Sequence, residues 1–258
     1  MNKTALITGS TSGIGNSFAK LLAKNKYNLI LVSQNAEKLD KQAYELSREY
    51  HIKVDIIACD LSEPYAASSV YQKIRDLGLQ INMLINNAGF DEYGEFLDTD
   101  KEKEIKMIHL HTIFPTEIIK LFLPDMVKHK CGRILNVGST GSYIPCPYTA
   151  VYAATKSYIL SFSRALNAEL KGTGVTITTL CPGATKTEFA KKAGMEETLL
   201  FKLFVMNPEN VANIGYKALI KGKESVISGG YNKLLVFSSY LLPNALINFL
   251  TKKMLKIN

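Results

Sequence analysis

Short runs in which nearly every residue is apolar alternate with longer stretches in which apolar residues recur every three or four positions. The short runs are TALIT (4–8), NLILV (28–32), VDIIA (54–58), NMLIN (82–86), RILNV (133–137) and VTITTL (175–180), with a further one at ESVISG (224–229). An uninterrupted apolar run of this length predicts a strand buried on both faces, as in a parallel sheet covered by helices. The intervening segments, among them GIGNSFAKLLAKN, NAEKLDKQAYELSREY, AASSVYQKIRDL, the stretch near 101–129 and VYAATKSYILSFSRALNAELK, are long enough for crossover helices. The pattern is a doubly wound α/β fold with a parallel sheet of about seven strands. No internal repeat, linker or low-complexity segment interrupts it, so residues 1–258 read as a single domain.

Composition agrees with a folded, buried core. The hydrophobic fraction of 47% and charged fraction of 21% argue against disorder. The formal charge of +8 is spread along the chain, without the basic blocks and interleaved aromatics of a nucleic-acid groove, so no nucleic-acid partner is expected. Cys59, Cys131, Cys146 and Cys181 form no C-x-x-C pair, and the four histidines form no H-E-x-x-H arrangement. No metal site is therefore expected, and free thiols suit a reducing compartment. The N-terminus lacks the charged-then-apolar architecture of a secretion signal, and a cytoplasmic location, with membrane-peripheral contact as a variant of it, is the expectation.

In a doubly wound sheet, ligands bind beyond the carboxyl ends of the strands, so chemistry is sought there. The first strand runs into TGSTSGIG, where Gly9, Gly13 and Gly15 precede an apolar helix. Such a turn lets a pyrophosphate approach the backbone and rest on the positive end of the helix. The fourth strand ends in NNAG, whose asparagine amides can tie neighbouring strand ends together. The fifth delivers Ser139, and thirteen residues later YAATK places Tyr152 and Lys156 one helical turn apart. A fixed ammonium beside a phenol lowers its pKa from about 10 toward neutrality, where it can give or take a proton.

TGSTSGIG, NNAG, Ser139, YAATK and CPG (181–183) stand in an order and spacing that resembles the short-chain dehydrogenase/reductase family of classical type, over residues 3–230. Within it the chain is similar to the 3-oxoacyl reductase and 17β-hydroxysteroid dehydrogenase-like branch. The resemblance implies a Rossmann-type fold and hydride transfer between a nicotinamide cofactor and a carbonyl or secondary alcohol. Tyr152 would exchange the proton, Ser139 would hold the substrate oxygen, and Lys156 would bind the ribose and acidify Tyr152. The family's fourth catalytic position, an asparagine, is His111 here. A nucleotide-binding scaffold with little turnover is the alternative that this departure raises.

The same resemblance assigns Gly9, Ser10, Ser12, Gly13, Ile14 and Gly15 to the phosphate turn, and Asp60 and Leu61 to the adenine. Asn87, Ala88 and Gly89 would form the cofactor floor, while Pro182, Gly183, Thr185 and Thr187 would close over the nicotinamide. At the second strand end stand Ser33, Gln34 and Asn35, with Lys38 a turn later and no carboxylate to repel a 2′-phosphate. NADP(H) is favoured, with NAD(H) as the alternative.

Substrate choice is expected in 188–208, where Leu199, Leu200, Phe201, Leu203, Phe204, Val205 and Met206 read as an apolar lid, with Phe90, Tyr93 and Tyr148 near the pocket mouth. A hydrophobic ketone or alcohol, acyl or steroid-like, is the expected substrate. The tail 234–258 is apolar but broken by Pro243, short of the run of about 20 residues that spans a bilayer. It is expected to lie on an anionic membrane or to cover a subunit interface. The family resemblance also implies a homodimer or homotetramer built on the helices carrying His111 and Tyr152.

Overall fold

Seven parallel strands in the order β3-β2-β1-β4-β5-β6-β7 form the centre of the computed structural model, which describes residues 3–203 and 205–257. They are β1 (Thr4–Thr8), β2 (Asn28–Ser33), β3 (Val54–Ala58), β4 (Met83–Asn86), β5 (Gly132–Val137), β6 (Val175–Cys181) and β7 (Ser225–Ile227). Each matches an apolar run of the sequence to within one or two residues. The cause is burial: every residue of β1 and β4 is buried, which only a sheet covered on both faces allows.

Two apolar layers cover those faces. Helices α1 (Gly13–Lys24), α2 (Ala36–Tyr50) and α9 (Pro208–Ile220) lie on one side, where Phe18, Leu22, Leu39, Val211 and Leu219 meet Ile7, Leu31 and Ile85. On the other side α3 (Ala66–Asp76), α5 (Phe114–Lys128) and α6 (Ala150–Glu169) flank the sheet, and Val70, Ile74, Ile118 and Phe122 meet Leu6, Ile30 and Leu84. Phe18 is fully buried, and its truncation to alanine would cost about 3–5 kcal/mol.

Helix starts follow local chemistry. Asn35 caps α2 by accepting from Lys38 N–H at 2.8 Å, and Asp100 caps α4 (Lys101–Ile108) by accepting from Glu102 and Lys103. Between α4 and α5 the helix widens into one π turn, His109–Ile113, a local irregularity that often marks a functional site.

The chain order reverses between β1, which continues to β2, and β4, which continues to β5. Divergence of the connections there opens a cleft above the strand ends. The lid segment folds as α7 (Glu188–Ala193) and α8 (Leu199–Lys202), and the tail as α10 (Gly230–Ser239) and α11 (Asn244–Leu255).

Candidate active site

A cavity of about 470 Å³ occupies that cleft, running from the glycine turn to Ser139, Tyr152 and Lys156. The strand ends that frame it are laced together by buried amides. Asn86 Nδ2 donates to Asn136 Oδ1 at 2.8 Å, Asn136 Nδ2 donates to Ser163 Oγ at 2.8 Å, and Asn87 Nδ2 donates to the carbonyls of Thr8 and Gly9. These bonds fix β1, β4 and β5 against α6, so the floor of the cavity is rigid.

Ser139 leaves β5 in extended conformation and its Oγ accepts from Gly141 N–H at 3.0 Å, which anchors the hydroxyl. Its side chain also neighbours the Tyr152 hydroxyl and favours the phenolate. Lys156 Nζ donates to Val137 O at 3.0 Å and lies 5.4 Å from the Tyr152 ring centre. The serine, phenol and ammonium anticipated from the sequence are thus brought together.

Their electrostatics differ from expectation. Lys156 was expected to lower the Tyr152 phenol, but burial first and Asp91 second push it up, with the Ser139 side chain opposing them. Burial pulls Lys156 down to about 8, against the attraction of Asp91. The physical reason is that desolvation penalises the charged form of each and outweighs the contacts that favour it. At neutral pH Tyr152 is a protonated donor.

Asp91, two residues beyond NNAG, lines the same cavity and is 6% exposed. Burial raises its carboxyl to about 8, opposed by the Glu92 backbone N–H and by Lys156. Its Oδ1 has no hydrogen-bond partner among the described residues. Sequence reasoning passed over it because an acid in a loop reads as solvated. Its place just after a strand end was the only available signal.

His111, in the π turn, is 3% exposed. The Phe90 backbone N–H donates to its Nε2 at 3.3 Å, so that nitrogen bears no proton and Nδ1 does. Nδ1–H then donates to Thr155 Oγ1 at 2.9 Å, whose own hydroxyl donates to Tyr152 O at 2.8 Å. Burial first, then Lys156, hold the imidazole well below its usual pKa, in agreement with a neutral ring. It meets the Tyr152 ring edge-on, centres 5.7 Å apart.

Most of the anticipated cofactor residues line the cavity: Gly9, Ser12, Gly13 and Ile14 at the turn, Ser33, Gln34, Asp60 and Leu61 at one end, Asn87, Ala88 and Gly89 on the floor, and Pro182, Gly183, Thr185 and Thr187 above. Ser10, Gly15, Asn35 and Lys38 do not. Ser10 is buried and donates to Gln42 Oε1, while Asn35 is occupied in capping α2 through the Lys38 backbone. A Cβ on Gly15 would lie 2.2 Å from Gly9 O, so this glycine serves close packing of α1 on the turn.

The turn fits a dinucleotide pyrophosphate. Gly9 and Gly13 have φ of +63° and +53°, and a Cβ on either would come within 2.8 Å of Ala88 Cα or Thr187 Cγ2. Ser12, the residue that opens α1, makes no side-chain cap, so its hydroxyl and the first N–H groups of α1 are available to an anion. At the end of β2 Gln34 lines the cavity and no carboxylate of β2 faces it, which suits a 2′-phosphate.

The apolar lid divides. Leu200 and Phe201 line the cavity together with Phe189, whose ring lies 5.7 Å from that of Tyr152. Met206 packs into the core, Leu199, Leu203 and Val205 are exposed, and Phe204 lies outside the described residues. Phe90 lines the cavity, whereas Tyr93 and Tyr148 pair with each other beside it, and the Tyr93 hydroxyl donates to Leu255 O on α11. No group of His, Cys, Asp and Glu among the described residues could hold a metal ion.

A family model described as short chain dehydrogenase matches residues 3–198. The human very-long-chain 3-oxoacyl-CoA reductase is 36% identical over 197 residues, covering 74% of this chain and 62% of that one, and the reductase of that name from Anas platyrhynchos is 35% identical over 195 residues. The chain thus spans about 62% of the length of the curated relatives it matches. Among solved structures, a short-chain dehydrogenase from Sphingobium yanoikuyae in complex with NADPH superposes with a TM-score of 0.81 at 29% identity, covering 93% of this chain and 94% of that one. A 7beta-hydroxysteroid dehydrogenase superposes with a TM-score of 0.86 at 25% identity, covering 96% of each.

Proposed function

Because this chain belongs to the short-chain dehydrogenase family, we propose that it is an NADP(H)-dependent ketoreductase that interconverts a hydrophobic ketone and its secondary alcohol. One observation carries the reading: Tyr152 shares a cavity with Ser139, Lys156 and a glycine turn shaped for a pyrophosphate. The nicotinamide, when bound, supplies the hydride. Tyr152 releases its proton to the carbonyl oxygen, so ketone, hydride and proton balance to the alcohol. Ser139 holds that oxygen beside the phenol. Lys156, with one N–H given to Val137 O, would hold the ribose hydroxyls with its remaining donors and stabilise the phenolate left behind. Positioned acid catalysis of this kind contributes roughly 10²–10⁴ in rate.

His111 acts in this scheme as a positioning residue. Its two ring nitrogens hold the Phe90 backbone and Thr155, so the ring joins the cavity floor to the catalytic helix. Leu200, Phe201 and Phe189 give the cavity an apolar wall, and the names of the curated relatives make 3-oxoacyl thioesters the first substrates to try. Exposed Ile105, Ile113 and Tyr158, on and beside the helices carrying His111 and Tyr152, fit a homodimer or homotetramer.

The deciding experiment is oxidation of NADPH and NADH with 3-oxoacyl, steroid and small aromatic ketones. Turnover that Tyr152→Phe reduces about 10³-fold, with nucleotide binding intact, is expected. Tight nucleotide binding without consumption on any ketone would instead establish the scaffold alternative.

A further inference from the structure

The last two helices carry apolar side chains outward. On α10 Leu234 and Phe237, with Leu241 just beyond its end, follow one another at helical spacing, and on α11 Leu246, Phe249 and Leu250 do the same, continued by Lys253. These six are between 42% and 70% exposed. The opposite faces are the anchored ones: Val236 and Ile247 pack with Ile144.

Charge distinguishes this face from the rest of the surface. Residues 225–257 contain no Asp or Glu, while Lys233, Lys252, Lys253 and Lys256 are all exposed. Lys233, Lys253 and Lys256 make no ion pair among the described residues, and Lys252 lies over the Tyr148 ring, 5.8 Å from its centre. An outward apolar stripe bordered by cations with no acidic residue among them is complementary to lipid chains beneath anionic headgroups. A second copy of the chain would bring the same positive charge to the contact. No helix of the described residues is long and apolar enough to cross a membrane.

We propose that the outward face of α10 and α11 docks on an anionic lipid bilayer and, resting on the ketoreductase reading, presents the catalytic cavity to lipid-dissolved ketones. One helix links the two surfaces: Leu255 of α11 lines the cavity, its carbonyl accepts the Tyr93 hydroxyl, and α11 packs beside the lid helix α8. A helix is about 10–12 Å across, so docking sets the apolar cavity wall that close to the bilayer.

The test uses the full chain with phosphatidylcholine vesicles, with and without phosphatidylserine. Partitioning onto the anionic vesicles about tenfold or more above the neutral ones is expected, from about fivefold per lysine held near the surface, and it falls as salt rises. Phe237→Glu with Phe249→Glu should abolish it while NADPH binding and turnover of a short, water-soluble ketone stay unchanged. Turnover of a long-chain ketone carried in the vesicles should fall with the loss of partitioning. Equal recovery of native and variant protein on the vesicles overturns the proposal. So does a dimer, seen by light scattering, that the variant converts to monomer while vesicles capture nothing. If no ketone is reduced, the reductase reading falls and partitioning still judges the docking face.

Discussion

The imidazole of His111 joins two chain segments that the sequence keeps far apart, accepting from the Phe90 N–H at 3.3 Å and bonding Thr155 Oγ1 at 2.9 Å. Phe90 follows the cavity floor, and Thr155 immediately precedes Lys156. The ring therefore sets the spacing between floor and catalytic helix.

Removing that link should loosen both. His111→Ala leaves a cavity and two unpaired polar groups, and should cost about 2–4 kcal/mol in denaturant unfolding. Its kcat should fall more than its KM for nucleotide rises. Gly89→Ala puts a Cβ 2.7 Å from His111 Nε2 and should reproduce the kcat loss by displacing the ring. Wild-type kcat in both variants would refute the positioning role.

Asp91 makes stability depend on pH. Its folded carboxyl stays protonated up to about 8, whereas the unfolded chain loses that proton near 3.8. Between those values the folded state binds more protons, so stability falls as pH rises through the window, by about 1.4 kcal/mol per unit at most. Asp91→Asn removes this dependence, so the variant should gain on the native protein steadily from pH 4 to 8 in urea melts. Parallel curves would show that the carboxyl is ionised in the fold. Lys156 contributes with the opposite sign and only above about 8, where its folded amine has lost the proton that the unfolded chain keeps.

Gln34 stands where charge decides between the nucleotides. Gln34→Glu should raise the KM for NADPH about tenfold through repulsion of the 2′-phosphate and lower that for NADH. Gln34→Arg should tighten NADPH by about 1.5–3 kcal/mol at best through charge-assisted hydrogen bonds. Unchanged KM ratios in both variants would remove Gln34 from the discriminating position.

Gly15 and Gly172 should respond in different ways to alanine. At Gly15 a Cβ would meet Gly9 O at 2.2 Å, backbone against backbone, and the variant should lose nucleotide binding and unfold readily. Gly172→Ala meets nothing within 4 Å but carries φ +86°, so only the strain of that conformation is felt, about 1–2 kcal/mol by thermal melt.

The sequence by itself determined the strands, their burial on both faces, the single domain and the meeting of Ser139, Tyr152 and Lys156, because each is written in local periodicity or in motifs attached to strand ends. Tertiary structure alone decided which candidates face the cavity. Ser10 and Asn35 carry the right chemistry beside the right motifs, yet Gln42 and the first turn of α2 claim them. It also decided the direction of the Tyr152 and Lys156 shifts and the protonation of Asp91, since desolvation depends on neighbours brought in from β4, α6 and β6. Likewise the tail reads as apolar but broken by Pro243, and only packing against Ile144 separates its anchored face from its outward one. Periodicity is a property of neighbours in the chain, whereas burial and hydrogen-bond partnership are properties of neighbours in space.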